Sequence, residues 1–433
     1  RYAPPQDDKG LWRKHPAMNE TTMRGVIERK REGEILDAAT LEAVIASYMD
    51  GEIDDAQMTG LLMACVWRGL CVDEAAALTQ AMVASGATLS YPEDVFVVDK
   101  HSSGGVSDIV SLVAVPLVAS CGVPVAKLSG RALGHTGGTI DKLETVPGLN
   151  VMLTMDEFVR QVETVGCAIA AQTDAFVPAD RRLYKLRDRT GTVPSTGLIA
   201  ASIVSKKIAG GAKAFVFDVK CGSAAFMRDA RSAVELGQAL VDIASRFGRK
   251  ARAVVTDMNE PLGRSIGTGL EIIEARDMLR GIAMDPRARE GCLRIAAEML
   301  EVAGVADAQA AAADALDSGR AYEKFVAMIT AQGGDVRAME AMSPGERVYD
   351  VVAWADGYVT DIDAVALGNV ARELSSRDPV AGLQIDVRTG ERVTRGTRLA
   401  RANAHDAPLE RIAAAFSLGE SEPAPRALVY AII

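Results

Sequence analysis

The spacing of apolar residues divides the chain into an opening helical part and a longer part in which strands and helices alternate. The spacing of an amphipathic helix (i, i+3, i+4, i+7) is followed at Leu41, Val44, Ile45 and Tyr48. Thr40 precedes this helix as the candidate N-cap. After Tyr91, short apolar runs typical of strands covered on both faces alternate with helical segments. This order predicts an α/β protein with a small all-helical lobe and a large mixed, mostly parallel α/β lobe.

The apolar runs also give candidate strands and domain boundaries. Strands are predicted at residues 95–98, 123–128, 168–170, 214–219 and 253–256. The predicted organisation is an extension (1–22), a helical lobe (23–90 and 178–211), an α/β lobe (91–177 and 212–340) and an α+β C-terminal region (341–433). In that last region, strands are predicted at 348–354, 357–362 and 394–400.

Composition narrows the class of protein. The formal net charge of -10, with 24% charged residues, argues against a general nucleic-acid or anionic-membrane binder. Residues 109–126 form the longest apolar stretch, but two prolines and a glycine interrupt it, which favours a buried helix followed by a buried strand over a membrane span. Six dispersed cysteines without a C-x-x-C pair, and no apolar leader in 1–19, predict a cytoplasmic protein. The four histidines lack metal-ligand spacing, so zinc is not expected.

Two glycine-rich loops carry the candidate chemistry. The first, KHSSGGVSD at 100–108, follows a strand and opens a helix, so its backbone N–H groups and Lys100 favour an anion. It has neither the dinucleotide nor the P-loop spacing. The second, residues 127–139, has the same setting, and both loops are expected at the carboxyl edge of the sheet. Arg131 and His135 are left with two readings, ligand binding or bracing of the loop.

Six ordered segments carry a resemblance to a known family. They are KHSSGGVSD (100–108), SGRALGHTGGTIDKLE (129–144), LYKLRDRTGTV (183–193), LIAASIVSKKI (198–208), FDVKCGSAAFM (217–227) and VVTDMNEPLGRSIG (254–267). Together they resemble the thymidine/pyrimidine-nucleoside phosphorylase family, over roughly residues 23–433. The resemblance implies a pentosyltransferase that cleaves uridine, thymidine and 2′-deoxyuridine with inorganic phosphate, giving the free base and an α-D-(deoxy)ribose 1-phosphate. It implies no organic cofactor.

The resemblance also assigns residues to roles. Phosphate would be held by Lys100, Ser102, Ser111, Lys127, Ser129 and Thr139. The pyrimidine would be met by His101, Arg187, Ser202 and Lys206, of which His101, Arg187 and Lys206 are the catalytic candidates. Apolar walls would come from Leu133, Val193, Ile199 and Phe226. Ser202 and Lys206 lie one turn apart on a predicted helix, while Lys207 is expected to be a solvated basic residue at its end.

Two departures from the family pattern affect these expectations. Ser107 stands where the family has glycine. If the family's potassium ion is retained, its ligands would be the carbonyls of Ser107, Ile109, Leu262 and Ser265 and the carboxylate of Glu274. Thr196-Gly197 replaces an Ile-Pro pair. It predicts a smaller and more flexible wall beside the base, and leaves the preferred nucleoside open.

Several alternatives and assembly predictions follow. The alternatives are a thymidine-restricted phosphorylase, a phosphoribosyltransferase of the same fold that uses a diphosphate donor with Mg²⁺, and a non-catalytic binding protein. We predict a homodimer through the helical lobe, because its first helices carry apolar residues on more than one face. We also predict closure between the lobes, with hinges near 85–95, 171–180 and 210–213.

Overall fold

The computed structural model describes residues 20–131, 137–173, 175–345 and 347–433. The helices in these ranges are α1 (Glu20–Glu32), α2 (Ala38–Asp50), α3 (Asp55–Arg68), α4 (Val72–Ala84), α5 (Val110–Ser120), α6 (Thr139–Leu143), α7 (Met155–Val165), α8 (Pro178–Thr190), α9 (Thr196–Ala209), α10 (Ala230–Arg246), α11 (Thr268–Leu279), α12 (Pro286–Val302), α13 (Ala308–Asp317), α14 (Arg320–Ala331), α15 (Val336–Ala341), α16 (Ala364–Ser375) and α17 (Leu409–Ala413). The strands are β1 (Val98–Ser102), β2 (Val125–Ser129), β3 (Cys167–Ala171), β4 (Ala214–Cys221), β5 (Lys250–Asp257), β6 (Ser265–Ile266), β7 (Val348–Val352), β8 (Gly357–Ile362), β9 (Gly382–Ile385), β10 (Arg392–Val393), β11 (Arg398–Asn403), β12 (Phe416–Gly419) and β13 (Val429–Ile432).

The chain forms two compact units. The helical unit consists of the described residues of Arg1–Val95, Thr173–Phe215 and Glu235–Ala251. The α/β unit consists of Phe96–Gln172, Val216–Val234 and Arg252–Ile433, and so includes the C-terminal strands.

In the helical unit, one buried carboxylate ties three segments together. Glu74 of α4 accepts two hydrogen bonds from Lys30 Nζ of α1, at 2.6 and 2.8 Å. It also accepts the backbone N–H groups of Leu36 (2.9 Å) and Cys71 (3.0 Å). Both side chains of the ion pair are buried, so α1, the α1–α2 connection and the start of α4 share one charged centre.

The start of α2 differs from the prediction. Asp37 is the N-cap, and its side chain accepts the backbone N–H of Thr40 at 2.8 Å. The assignment of Thr40 as N-cap is therefore wrong by one helical turn. Both residue types favour this position, and the carboxylate occupies it here.

The α/β unit is built on a six-stranded sheet in the order β13-β5-β4-β1-β2-β3. β2 runs parallel to both β1 and β3, and β13 is antiparallel to β5. This confirms the predicted mixed, mostly parallel lobe. Strand β1 starts at Val98 rather than at residue 95, because Val95 N donates to Pro92 O in a preceding turn. Since β1 and β2 are parallel neighbours, the two glycine-rich loops leave the same edge of the sheet.

The long apolar stretch is a buried element of this unit. Helix α5 is apolar all round and packs against α12 and α14, and β2 follows it after a turn. A helix long and apolar enough to cross a bilayer does not occur among the described residues.

The C-terminal strands form two small sheets, β10-β8-β12 and β6-β9-β11-β7. The third predicted strand, 394–400, is displaced and becomes β11. Strand β6 pairs antiparallel with β9, with Ser265 opposite Gln384, so the loop that precedes α11 is joined to the C-terminal region.

Candidate active site

Buried charges lie at alternate positions of the central strands. Lys100 and Ser102 lie two residues apart in β1, and Asp218 and Lys220 do so in β4, so the members of each pair face the same side. Asp218 Oδ2 lies 3.3 Å from Lys100 Nζ and 2.8 Å from Lys220 Nζ. All three charged side chains are buried. The phosphate-side cluster is named after the ligand that the sequence predicts for it. Its members are Lys100, Ser102, Asp108, Ser111, Lys142, Asp218 and Lys220.

Lys100 links strand β1 to the start of α5. Its Nζ donates to Ser111 Oγ at 3.3 Å, and Ser111 lies in the first turn of that helix. Two of the predicted phosphate ligands are thus brought together directly.

Asp108 is surrounded by cations in the first glycine-rich loop. It accepts Ser102 Oγ at 2.6 Å, and its Oδ1 lies 3.9 Å from Lys220 Nζ. Lys142 Nζ donates to the backbone carbonyl of Asp108 at 2.8 Å. Burial acts to raise the pKa of Asp108, but Lys220, Lys100 and Lys142 together hold it well below its usual range. Burial likewise acts to lower the pKa of Lys220, and Asp108 and Asp218 raise it above normal. Asp108 and Lys220 therefore each favour the charged form of the other.

The other predicted phosphate ligands lie in or after β2. Lys127 and Ser129 are buried at alternate positions of β2, and Lys127 Nζ donates to Leu128 O at 3.4 Å. Thr139 is the first residue of α6 and is partly exposed. Arg131 pairs with Asp141 (3.0 Å) and with Glu144 (2.6 Å), contacts that brace α6. Leu133 and His135 lie outside the described residues.

In the helical unit, Arg187 organises the loop between α8 and α9. Its Nε, Nη1 and Nη2 donate to the carbonyls of Thr192 (3.3 Å), Leu198 (3.2 Å) and Val193 (2.8 Å). Burial lowers the pKa of Arg187, and the negative charge of Asp180 only partly offsets this by acting to raise it. A guanidinium has five N–H donors, so two remain beyond these three carbonyls. Val193 and Ile199, two of the predicted wall residues, lie in the same loop and helix start and are partly exposed.

Lys206 is fixed by two partners. Its Nζ lies 2.5 Å from Asp180 Oδ2 of α8 and donates to Ser202 Oγ one turn away at 2.9 Å. The predicted pairing of Ser202 with Lys206 on one helix face is present. Lys207, expected in solvent, is only 2% exposed, so that prediction is wrong. We call Arg187, Ser202, Lys206 and Asp180 the base-side cluster.

The remaining base-side predictions lie in the α/β unit. His101 is part of β1 and partly exposed, and Phe226 follows β4 with half of its surface exposed.

The Thr196-Gly197 departure has a local packing reason. Both residues belong to the first turn of α9. A Cβ on Gly197 would lie 2.8 Å from the Cβ of Leu70, closer than side chains pack. The pair lines a cavity of about 330 Å³ in the helical unit, together with Val66, Leu70, Ala239 and Ile243. Gly197 is thus packed into a helix start against Leu70, and the expected wall beside the base stays a prediction.

The expected potassium ligands come from three segments of the α/β unit. Ser107 and Ile109 precede α5, Leu262 and Ser265 precede α11, and Glu274 lies on α11. Glu274 accepts the N–H groups of Arg264 (2.8 Å) and Ser265 (2.7 Å), while burial raises the pKa of Glu274 to about 7.

Sequence reasoning missed the acids that organise both clusters, Asp108, Asp218 and Asp180, and the cations Lys142 and Lys220. For Asp218 and Lys220 a signal exists, since two charges at alternate positions interrupt the apolar run AFVFDVKC. The partners of Asp180 and Lys142 lie on separate elements, so no local pattern reveals them.

Comparison with known proteins gives a consistent family assignment. Residues 24–86 match the helical bundle domain, and residues 94–322 the a/b domain, of a glycosyl transferase family. A pyrimidine-nucleoside phosphorylase of Geobacillus stearothermophilus is 44% identical over 393 residues, covering 87% of this chain and 90% of that protein. A thymidine phosphorylase of Mycobacterium tuberculosis is 43% identical over 418 residues, covering 93% of this chain and 96% of that protein.

A solved structure supports the fold. Anthranilate phosphoribosyltransferase from Thermus thermophilus matches with a TM-score of 0.59 at 20% identity, covering 71% of this chain and 99% of that one. At this identity the likeness concerns the fold alone. The identity to the two phosphorylases, over most of both lengths, shows that the chain belongs to the thymidine/pyrimidine-nucleoside phosphorylase family of glycosyl transferases.

Proposed function

We propose that the chain is a pentosyltransferase that catalyses the reversible phosphorolysis of pyrimidine nucleosides. The products are the free base and an α-D-ribose or 2-deoxyribose 1-phosphate. The observation that carries the proposal is the extent of the match. Identity of 43–44% to phosphorylases of both kinds covers 87–93% of the chain. The phosphate-side and base-side clusters both lie within residues 94–322, which match the a/b domain of the glycosyl transferase family.

The phosphate-side cluster suits an anionic co-substrate. Phosphate is proposed to contact Lys100, Ser102, Ser111, Lys127, Ser129 and Thr139. Phosphate is itself the nucleophile, so the protein supplies position and positive potential and needs no activating triad. Asp108 and Asp218 hold the lysines in place before phosphate arrives. Lys100 then has a hydroxyl partner, Ser111, that phosphate oxygens can share.

The chemical step follows from these charges. A phosphate oxygen forms a bond to the anomeric carbon on the face opposite the base, and the glycosidic bond breaks with its electron pair leaving on the base nitrogen. The configuration at that carbon is inverted. The leaving base gains negative charge, which the remaining N–H donors of Arg187 and the ammonium of Lys206 stabilise at the pyrimidine carbonyls. Ser202 holds Lys206, and His101 supplies a hydrogen bond or a proton to a carbonyl of the base.

Substrate choice follows from the same donors. Arg187 and Lys206 donate only, so they match the C4 carbonyl of uracil or thymine, whereas cytosine has an amino group there. We propose uridine, thymidine and 2′-deoxyuridine as substrates and expect cytidine to be rejected by about ten- to a hundred-fold.

The decisive experiment is a phosphate-dependent assay with these four nucleosides, following base release by absorbance and sugar 1-phosphate by phosphorus NMR. We expect turnover only with phosphate. Release of base from thymidine alone would restrict the enzyme to that substrate. Turnover only with a phosphoribosyl diphosphate donor and Mg²⁺ would overturn the proposal in favour of a phosphoribosyltransferase.

The assembly predictions remain open. Homodimerisation is tested by the mass in solution, and lobe closure by small-angle scattering with and without phosphate plus a non-cleavable nucleoside. A monomeric mass, or no compaction, would count against each in turn.

A further inference from the structure

The loop that carries Ser107 contains a backbone feature that needs an explanation. Ser107 has φ of +55°, in the left-handed region that residues other than glycine rarely adopt. Its side chain is buried. A residue held in this conformation has to be stabilised by its surroundings.

The Ser107 hydroxyl supplies that stabilisation across the fold. Ser107 Oγ donates to the carbonyl of Ser265 at 2.5 Å, and the carbonyl of Ser107 accepts the N–H of Gly263 at 3.2 Å. A Cβ on Gly263 would lie 2.6 Å from Ser107 Oγ and 2.7 Å from Glu274 Oε1. The hydroxyl therefore lies among the very oxygens that the family resemblance assigns to potassium.

The other oxygens of the expected set also have donors within the chain. Leu262 O accepts Arg388 Nη2 at 2.8 Å, and the adjacent carbonyl of Pro261 accepts Arg388 Nη1 at 2.5 Å. Ile109 O accepts the N–H groups of Leu112 and Val113 at 3.0 and 3.2 Å.

A cation site needs several oxygen lone pairs directed at one open point. A carbonyl that accepts one hydrogen bond keeps a second lone pair, so the bonds to Ile109 O and Leu262 O do not decide the fit, whereas a hydroxyl placed among the ligands does. Here the Ser107 hydroxyl lies between the Gly263 backbone and Ser265, and it directs its proton at the carbonyl of Ser265, one of the expected ligands. The residues present therefore do not fit a potassium ion, in contrast to the expectation from the resemblance.

We propose that the Ser107 hydroxyl replaces a monovalent cation in this chain. The hydroxyl joins the first glycine-rich loop to Ser265. The guanidinium of Arg388, which donates to Leu262 O, is itself paired with Asp285 at 2.9 Å. The loop that ends in Asp108 is then held without metal. The chain neither requires nor responds to potassium at this position.

The test measures melting temperature, so its outcome does not depend on the proposed activity. Wild type, Ser107→Gly and Ser107→Ala are compared in potassium chloride and in tetramethylammonium chloride at equal ionic strength. Both variants remove the hydroxyl that donates to Ser265 O. Glycine adopts the positive φ at position 107 without strain, whereas alanine keeps a Cβ there and remains strained. Asp307→Gly is the matched control, because Asp307 also has a positive φ (+49°) and lies in the same unit, at the N-cap of α13.

We expect equal melting temperatures in the two salts for wild type and for Asp307→Gly. Ser107→Gly should gain a saturable rise of about 2 °C or more that is specific to potassium, because Ser265 O loses its donor. A potassium-specific rise in the wild type would overturn the proposal and make the hydroxyl a ligand. Absence of the rise in Ser107→Gly would also overturn it. Ser107→Ala should melt at a lower temperature than wild type and Ser107→Gly. If Ser107→Ala fails to fold, the potassium response of Ser107→Gly still decides the proposal.

Discussion

Two buried lysine–glutamate pairs, one in each unit, have opposite electrostatic character. In the helical unit, Glu74 receives two bonds from Lys30 and two from backbone N–H groups. Burial acts to raise the pKa of Glu74, but these donors lower it below normal. In the α/β unit, Glu271 has Lys142 at 2.6 Å and the N–H of Gly267 at 3.3 Å. There burial outweighs Lys142, and the pKa of Glu271 is raised.

The difference reflects what each pair does for its unit. Glu74 collects donors from three segments and fixes how those helices meet. Lys142 divides its ammonium between Glu271 and the carbonyl of Asp108, which belongs to the phosphate-side cluster. The α/β unit therefore tolerates an incompletely compensated acid next to the charges proposed to bind phosphate, as expected where perturbed pKa values accompany function.

The largest effect is expected from removing a charge on the functional side. Lys100→Met should lower kcat/KM for phosphorolysis by about 10³-fold, as when one donor to a developing charge is lost. Folding should survive, because Asp218 keeps Lys220 at 2.8 Å. Steady-state kinetics at varied phosphate concentration would measure this loss of kcat/KM. Lys250→Met, which changes an exposed lysine, is the control. A loss below tenfold would remove Lys100 from the proposed site.

The second largest effect concerns the Lys30–Glu74 pair of the helical unit. Glu74→Gln should lower the free energy of unfolding by about 3 kcal/mol, because it leaves buried Lys30 without its counter-charge. Glu271→Gln should cost clearly less, because burial raises the pKa of Glu271 and so already opposes its charged form. Denaturant unfolding at neutral pH compares the two variants, and equal losses would contradict the contrast drawn between the pairs.

The pH dependence sharpens the same comparison. A lowered pKa means that the contribution of Glu74 is present above 4.5 and is lost as the pH falls through its folded value. A raised pKa means that the contribution of Glu271 is present below 4.5 and is lost as the pH rises through its folded value. The difference between wild type and Glu74→Gln should therefore shrink in acid, whereas Glu271→Gln should gain on wild type as the pH rises. Parallel curves for both variants would refute this.

The next prediction tests the packing of the helical unit. Gly197→Ala should destabilise the protein by about 2 kcal/mol, because the new Cβ would meet Leu70 at 2.8 Å. Gly25→Ala in α1, which has open space around it, should instead stabilise by about 0.5–1 kcal/mol. Adding Leu70→Gly should make the alanine at 197 less costly. A double-mutant cycle without coupling would assign the cost to another contact.

What the sequence could predict follows the same division between local pattern and distant partner. Strands β2 to β5 were predictable from continuous apolar runs, and the two loops from their glycines and Lys100. Thr40 was placed wrongly because Asp37, three residues earlier, is an equally good cap. The burial of Lys207 and the pairing of Asp218 with Lys100 depend on residues far apart in the chain, which a local pattern does not contain.

The smallest expected effect concerns the sugar. Lys127 is buried in β2, two residues before Ser129, and both belong to the proposed phosphate ligands. An ammonium can donate to a 2′-hydroxyl as well as to a phosphate oxygen, whereas a methionine thioether cannot. Lys127→Met should therefore lower kcat/KM for uridine more than for thymidine, changing their ratio by about tenfold, which corresponds to about 1.4 kcal/mol.

The ratio separates this role from a purely electrostatic one. If Lys127 only neutralised phosphate, both nucleosides would lose activity equally, because phosphate is common to both reactions. Comparing uridine with 2′-deoxyuridine removes the difference between the bases and isolates the hydroxyl. The Lys100→Met variant is the matched control, since it removes a lysine of the same unit that is proposed to contact phosphate alone and should leave the ratio unchanged. An unchanged ratio in Lys127→Met, whatever the absolute rate, would rule out contact with the 2′-hydroxyl.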